Sequence, residues 1–322
     1  MPGCFRQRFH LGQRFDTLVT DIFAPMRRII YLINPISGTK GKDALIQLIS
    51  QKTTAQQIPF EILPTVASGD YNFLSAKIKE EGVTDVVVCG GDGSVNQVVH
   101  SLASLPVQFG IIPMGSGNGL AFAARIPKAS SKALDVMLAG HSKPTDAFMV
   151  NNQFACMLCG LGFDAAVAHE FAIQPKRGLK TYAELTTRKF FSAEAYHFAI
   201  EANNLYFESD AYFISVANSN QFGNNFTIAP QANLSDGLLD VVIVKKTGKP
   251  MLLWNVLQQV FAGKTKNIEN SLQSPVIYFQ TARLCIKNPD SAPMHIDGEP
   301  RESIAELDIK ILPDHFRLIQ PL

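Results

Sequence analysis

The sequence predicts an α/β domain built on a parallel sheet, followed by an all-β sandwich domain. The length of 322 residues suits two hydrophobic cores. In the first half, short apolar runs alternate with segments of helical period, which is typical of a parallel sheet covered by helices. After about residue 146 short alternating runs separated by turn residues take over, which is typical of an antiparallel sandwich.

The elements of the first half follow one another in strict alternation. Val86, Val87 and Val88 form a run that is apolar on both faces, as expected for a buried parallel strand. We expect strands at 29–33, 60–63, 86–89 and 109–112, and helices at 43–53, 71–80, 95–105, 120–125 and 132–139.

The second half is predicted to be mainly strands with two inserted helices. We expect strands at 153–158, 196–201, 211–217, 239–244, 276–279, 282–286 and 305–311, and helices at 179–191 and 251–261. The change from alternating strands and helices to mainly strands sets the boundaries of the predicted domains. They are a poorly ordered tail (1–25), the α/β domain (26–145, with 301–322 as a candidate to complete it) and the sandwich (146–300).

Composition limits the partners of the chain. Twenty-nine Lys and Arg against twenty-eight Asp and Glu give a net charge of +1, so nothing points to a nucleic-acid partner. No run approaches about 18 apolar residues, so a bilayer-spanning segment is not expected. Five scattered cysteines favour a reduced, cytoplasmic setting. Basic and apolar residues within 176–191 fit either peripheral docking on an anionic membrane or a solvated helix.

Three loops rich in small residues follow predicted strands of the parallel sheet. They are 34–38 (NPISG), 90–94 (GGDGS) and 113–119 (PMGSGNG). Ligands of open parallel sheets bind beyond the carboxyl ends of the strands. Glycines let successive main-chain N–H groups converge on a phosphate, and a helix start adds a partial positive charge. Three such loops on one edge therefore predict a nucleotide-phosphate site.

The common nucleotide and hydrolase motifs are absent. Lys42 lacks the glycine spacing of a P-loop, and no GxGxxG follows a strand with an acidic residue at the right distance. HExxH, GxSxG and the protein-kinase motif set do not occur.

Six motifs in a fixed order resemble the diacylglycerol kinase catalytic family, which includes bacterial lipid kinases and sphingosine kinases. They are the three loops above, GLGFDA (160–165), SDGLLD (235–240) and IDGEP (296–300). The resemblance implies a nucleotide-binding α/β domain and a β-sandwich, with ATP and a lipid alcohol meeting in the cleft between them. It implies Mg²⁺ as cofactor and a role in phospholipid synthesis. Whether the chain forms a homodimer is left open.

Carried over residue by residue, the resemblance implies two ligand sets. ATP would contact Asn34, Pro35, Ile36, Ser37, Gly38, Thr65, Gly90, Gly91, Asp92, Gly93, Ser94, Val95, Asn96 and Ser116. Mg²⁺ would be held in the turn at 233–238 by the Asp236 carboxylate and the main-chain carbonyls of Asn233 and Leu238, hard oxygen ligands that suit this ion.

Phosphoryl transfer needs a held phosphate, neutralised charge and an acceptor for the hydroxyl proton. Asp297 and Glu299 flank Gly298 and are the candidate proton acceptors. By the resemblance Glu299 is the general base, and Asp297 orients it or shares a Mg²⁺. An ordinary polar turn is the alternative reading of these three residues.

The chain departs from the family pattern at three positions. Ser94 stands where the family has Thr and keeps the hydroxyl, whereas Gln97 and Gly119 each stand where a carboxylate is usual. Two alternative functions stay open on the sequence: an NAD kinase, which also carries a GGDG loop, and a nucleotide-binding regulatory protein without catalysis. Diacylglycerol, a sphingoid base, ceramide and a polyprenol all remain candidate acceptors.

Overall fold

The computed structural model describes residues 26–37, 42–174, 184–185, 189, 192–221, 229–247 and 272–322. The tail at 1–25, the predicted helix at 251–261 and most of the predicted helix at 179–191 lie outside these ranges.

The first half forms a four-stranded parallel sheet with helices in the connections. Its elements are β1 (Ile29–Ile33), α1 (Lys42–Ala55), β2 (Phe60–Pro64), α2 (Leu74–Glu81), β3 (Asp85–Gly90), α3 (Asp92–Leu102), β4 (Gln108–Pro113), α4 (Gly119–Ala123) and α5 (Ser130–Ala139). The strand order is β2-β1-β3-β4, and every neighbouring pair is parallel. All residues of β1 and β3 are buried, because helices cover both faces of a parallel sheet.

The carboxyl ends of β1, β3 and β4 lie side by side at one edge. Ile33 pairs with Cys89, and Gly90 pairs with Pro113. The three small-residue loops therefore leave the sheet from adjacent positions, as the sequence predicts.

The second half is antiparallel. Its elements are β5 (Ser142–Val150), β6 (Gln153–Ala155), β7 (Leu158–Gly162), α6 (Phe163–Ala172), β8 (Tyr196–Ala202), β9 (Leu205–Ala217), β10 (Leu239–Lys245), β11 (Val276–Thr281), β12 (Arg283–Lys287), β13 (Met294–Ile296), β14 (Glu299–Arg301) and β15 (Glu306–Ile319). The main path runs β14-β13-β7-β9-β8-β12-β15, and β10 adds to β9.

The long strand β15 joins the two halves. It pairs with β12 at one end, with β5 along most of its length, and in parallel with β4 through Arg317 and Leu318. The register shifts between Leu312 and Phe316, so the strand is irregular where it passes from one sheet to the other.

Two hydrophobic clusters form the interior: the first contains the parallel sheet and part of the second half, and the second lies within the second half. Val87 and Ile111 belong to the first cluster, and Ile214 and Ile309 belong to the second. The predicted fold class, a parallel α/β domain plus a β-sandwich, is confirmed. No helix among the described residues is long and apolar enough to cross a membrane.

Candidate active site

The second and third loops touch through their glycines. A Cβ built on Gly115 would lie 2.6 Å from Gly91 Cα, and one on Gly91 would lie 3.1 Å from Gly115 Cα. The Met114 N–H donates to Gly90 O at 2.8 Å. Side chains at Gly91 or Gly115 would push the loops apart, so glycine is required for the two main chains to form one surface.

The first loop is fastened to the second by Asn34. Its Nδ2 donates to Ser94 Oγ at 2.9 Å, and its Oδ1 accepts from the Ile36 N–H at 2.9 Å. The main-chain N–H of Asn34 donates to Cys89 O at 3.0 Å. The Ser94 hydroxyl, which stands in place of a threonine, thus holds the NPISG loop beside the glycine loop.

Two polar groups beside the first loop are buried without a hydrogen-bond partner in the described part of the chain. They are Ser37 Oγ and Lys42 Nζ. Burial raises the pKa of the Cys89 thiol, and the positive charge of Lys42 opposes this shift, so the ammonium lies near the end of β3. An unpaired buried ammonium is costly unless an anion completes its bonding.

Asp92 turns towards the third loop. Its Oδ1 accepts the Leu120 N–H at the start of α4 at 3.4 Å, and the N–H groups of Asn118 and Gly119 also act on the carboxylate. Burial, together with the charge of the nearby Asp297, raises the pKa of Asp92 to about 6, although these N–H groups oppose the shift. Asp92 therefore caps a helix start and ties two phosphate-loop candidates together.

Asp297 is buried and fully engaged in hydrogen bonds. Its Oδ1 accepts the N–H groups of Met157 and Leu158 at 2.9 and 3.0 Å, and its Oδ2 accepts the Cys156 N–H at 2.9 Å. The same Oδ2 accepts from Asn96 Nδ2 at 2.7 Å. Because Asn96 belongs to α3, one carboxylate joins the sandwich to the glycine-loop helix.

Glu299 lies against the glycine loop. A Cβ built on Gly93 would sit 3.2 Å from Glu299 Oε1, so the carboxylate contacts the first turn of α3. Unlike Asp297, Glu299 is exposed. The two carboxylates that the sequence places two residues apart thus occupy different environments.

The turn that presents Glu299 is a two-residue hairpin. Ile296 pairs with Glu299, and Asp297 and Gly298 between them have φ of 51° and 81°. Positive φ at both central positions is the type I′ geometry for which Asp-Gly is favoured. The polar-turn reading is right about local conformation, and the buried Asp297 adds a tertiary anchor to it.

The other predicted ATP residues lie around the same edge, except for one outside the described ranges. Thr65 follows β2, its N–H donates to Ile33 O at 3.0 Å, and its hydroxyl bonds Tyr71. Pro35, Ile36 and Ser116 are exposed, whereas Val95 packs in the core. Gly38 lies outside the described residues.

The predicted metal turn lies at the junction of β5 and β15. Asp236 accepts from the Leu238 N–H at 3.1 Å, and the Gly237 N–H donates to Asp146 Oδ2 at 2.7 Å. Partial burial and the charge of Asp146 raise the pKa of Asp236. In the described ranges neither carboxylate has an ion-pair partner, and no group of three or more His, Cys, Asp or Glu could hold a metal. The carboxylates of Asp236 and Asp146 and the main-chain carbonyls of the turn are hard oxygen donors, the ligand type that suits Mg²⁺.

The two departures from carboxylates have local explanations. Gln97 is exposed, and a Cβ on Gly69 would lie 2.8 Å from its Cδ. Gly119 is buried, and a Cβ there would lie 3.0 Å from Gln221 O and 3.2 Å from Met157 Sδ. An aspartate at 119 would require these neighbours to shift.

Sequence reasoning missed Lys42, the amides at 156–158 and Asp146. Lys42 was set aside because it breaks the P-loop spacing, and main-chain amides leave no signal in residue identity. Asp146 sits within a strand whose partner, β15, follows more than 150 residues later.

Comparisons with known proteins agree with this architecture. The profile of the diacylglycerol kinase catalytic domain matches residues 28–150, and that of the YegS C-terminal NAD kinase beta sandwich-like domain matches 158–320. The probable lipid kinase YegS of Salmonella typhimurium is 28% identical over 292 residues, covering 87% of this chain and 94% of the relative. The diacylglycerol kinase of Bacillus subtilis is 25% identical over 279 residues, covering 85% and 90%.

A solved diacylglycerol kinase structure from Bacillus anthracis has the same fold. Its TM-score is 0.69 at 21% identity, with 91% of this chain and 97% of that chain covered. Two domains of these kinds, matched along nearly the whole described chain, define a kinase. The chain belongs to the diacylglycerol kinase catalytic family, whose relatives include enzymes named lipid kinase and diacylglycerol kinase.

The raised pKa of Asp92 predicts how the free energy of unfolding depends on pH. Because the folded-state pKa rises from 3.8 to about 6, the wild type loses stability as pH rises from about 4 to 6. Asp92→Asn carries no such charge, so from pH 4.5 to 7.5 its free energy of unfolding should improve by about 2 kcal/mol relative to wild type. Urea unfolding at both pH values measures this.

The matched control is Asp43→Asn, which removes an exposed carboxylate from the first turn of α1. It should track the wild type at both pH values. An Asp92→Asn protein with the same pH dependence as wild type would contradict the assignment of a strained buried charge.

Proposed function

We propose that the chain transfers the γ-phosphate of ATP to the hydroxyl of a lipid alcohol, diacylglycerol or a sphingoid-like lipid, with Mg²⁺ assistance. The kinase family supports the use of ATP. The observation that carries the proposal is the contact of the exposed Glu299 carboxylate with Gly93, at the start of the helix that follows the glycine loop.

The three loops hold the triphosphate. Main-chain N–H groups of the loops and the positive ends of α1 and α3 offer donors to phosphate oxygens. We assign Lys42 to the same task, because its buried ammonium and the buried Ser37 hydroxyl have no hydrogen-bond partner among the described residues, and phosphate oxygens would supply one. A lysine at this edge neutralises charge that develops during phosphoryl transfer.

Glu299 is the general base of the proposed reaction. Exposure on the hairpin leaves its carboxylate free to approach a lipid hydroxyl, and the contact with Gly93 keeps it near the transferred phosphoryl group. It accepts the hydroxyl proton as the alcohol oxygen attacks the γ-phosphorus in line, and ADP leaves as the bond between the γ-phosphorus and the bridging oxygen breaks. Asp297 does not take part in proton transfer, because four N–H donors already occupy its carboxylate; it positions the hairpin.

We assign the metal turn to Mg²⁺ held by the Asp236 carboxylate with the carbonyls of Asn233 and Leu238. Bound there, the ion would supply positive charge beside Asp146 and Asp236. The turn contacts Pro144 of β5 through Ser235 and lies near Pro313 of β15. An ion bound in the turn would therefore stabilise the packing of β5 against β15.

The family match favours lipid over NAD as acceptor, although the sandwich profile is named for its likeness to NAD kinase. A regulatory protein without catalysis would bind ATP and phosphorylate no lipid. Incubation with radiolabelled ATP and diacylglycerol, sphingosine or NAD, followed by thin-layer chromatography, separates the three functions.

Glu299→Gln should lower kcat for lipid phosphorylation by about 100-fold or more, because the amide cannot accept a proton in the transition state. ATP affinity should stay within about threefold of wild type. Glu302→Gln, which alters an exposed glutamate just beyond β14, is the control and should retain full activity. Wild-type turnover by Glu299→Gln would remove the proposed base.

Lys42→Met should move apo stability and ATP affinity in opposite directions. Removing an unpaired buried ammonium should raise the melting temperature of the ligand-free protein, whereas affinity for ATP should fall by about 10-fold or more. Calorimetry with ATP and with adenosine, which lacks phosphates, isolates the effect.

The control is Lys52→Met on the same helix, since Lys52 pairs with Asp135 at 2.6 Å. It should leave ATP affinity unchanged. A Lys42→Met protein that is less stable and binds ATP normally would identify Lys42 as structural.

Mg²⁺ without nucleotide should raise the melting temperature of the wild type by several degrees, since binding to the native state alone stabilises it. Asp236→Asn should lose most of this shift, and Asp290→Asn, in another exposed turn, should keep it. Equal shifts in all three proteins would contradict a site at the turn.

A further inference from the structure

A buried Asp–His pair lies behind the hairpin that carries Glu299. Asp164 is the second residue of α6, and His295 is the middle residue of β13. Asp164 Oδ2 and His295 Nε2 are 3.5 Å apart, and the two residues are 6% and 1% exposed. Burial of both groups excludes water from the pair.

His295 reaches the hairpin through its other ring nitrogen. The Gly298 N–H donates to His295 Nδ1 at 3.2 Å, so Nδ1 carries no proton and the ring proton resides on Nε2, facing Asp164. The hydrogen-bond pattern thus assigns the tautomer, and the carboxylate on the far side maintains it. Gly298 is the residue immediately before Glu299.

The absence of a side chain at Gly160 leaves room for the Asp–His pair. A Cβ on Gly160, which pairs with His295 across β7 and β13, would lie 2.1 Å from Asp164 Oδ2 and 2.4 Å from His295 Nε2. Any side chain there would separate the two groups. The glycine of the GLGFDA motif is therefore explained by the approach of the Asp–His pair to the main chain.

A second histidine of α6 contacts the same strand. His169 Nε2 lies 2.7 Å from Met294 O, and the Asp164 Oδ1 accepts the Ala165 N–H at 2.8 Å. Asp164 is therefore oriented by its own helix, with Oδ1 occupied and Oδ2 directed to His295. Burial raises the pKa of Asp164, and His295 opposes this shift.

We infer that Asp164 and His295 are positioning residues that set the conformation of the hairpin and thereby the place of Glu299. The inference rests on the proposed function of Glu299. The two central residues of the turn are both held: the Asp297 side chain accepts main-chain N–H groups of the sandwich, and the Gly298 N–H donates to His295. A displacement of about 1 Å at a catalytic group can cost about 100-fold in rate, so a small change in the turn is measurable.

Asp164→Asn tests whether Asp164 sets the tautomer of His295. Since Oδ1 still accepts the Ala165 N–H, the new NH₂ group faces His295 Nε2 and favours a proton on Nδ1. Nδ1–H then opposes the Gly298 N–H and the bond to the turn is lost; an Asp→Asn change beside a catalytic histidine acts in this way in serine proteases. We expect kcat to fall by about 10- to 100-fold, with KM for ATP within about threefold.

Two substitutions of His295 distinguish the contact of Nδ1 with the Gly298 N–H from the contact of Nε2 with Asp164. His295→Asn places an amide oxygen near the position of Nδ1 and can accept the Gly298 N–H, whereas His295→Gln places its amide near Nε2 and cannot. We expect the Asn variant to keep most of kcat and the Gln variant to lose it. Adding Asp164→Asn to His295→Asn should cause no further loss, because no tautomer remains to be set.

The experiment measures kcat, KM for ATP and melting temperature for these variants, for Glu299→Gln and for the control His197→Asn, a half-buried histidine on β8 that pairs with Asp210. Loss of kcat in Asp164→Asn and His295→Gln, with KM preserved and rescue in His295→Asn, supports the inference. If Asp164→Asn does not fold, the comparison of His295→Asn with His295→Gln decides.

Equal kcat in His295→Asn and His295→Gln, or additive losses in the double variant, overturns the inference. Wild-type activity in Glu299→Gln would instead overturn the proposed base, so the two failures are distinguishable.

Discussion

The geometry of the candidate site depends on one buried carboxylate. Asp297 gathers three consecutive main-chain N–H groups of the sandwich and the amide of Asn96 on α3. Hydrogen bonds to a charged acceptor in a buried setting are stronger than neutral ones, so this point fixes the two domains relative to each other. The proposed base, Glu299, lies on the sandwich side of the Asp297–Asn96 hydrogen bond, and the candidate phosphate loops lie on the other side. This hydrogen bond therefore keeps the base close to the loops.

Close main-chain approach is the second constraint. Gly91 and Gly115 bring two loops into contact, Gly93 admits Glu299, and Gly160 admits the Asp–His pair. In each case a Cβ would meet an atom of the site itself, not a replaceable core side chain. These glycines are therefore explained by what approaches them, and not by turn conformation alone.

The sequence was sufficient for the fold class and for the common edge of the three loops, because parallel strands place their carboxyl ends together whatever their side chains. It did not predict β5 across the expected boundary at residue 146, or the full length of β15, since their pairing is long-range. It did not predict α6, whose residues are apolar without a clear polar face. It paired Asp297 with Glu299 by spacing, whereas tertiary contacts separate their roles.

Three carboxyl groups are held where their ionised forms are disfavoured. Burial raises the pKa of Asp92, Asp164 and Asp240, so each is held in a place that opposes its ionised form. A core selected for stability alone would replace such groups with apolar ones, since buried charges add little net stability even when paired. Asp92 accepts an N–H at the start of α4, Asp164 faces the histidine behind the hairpin, and Asp240 accepts hydrogen bonds from Tyr278 and Gln280. The first two lie beside the candidate site, and we infer that they contribute accurate placement of the loops and the hairpin.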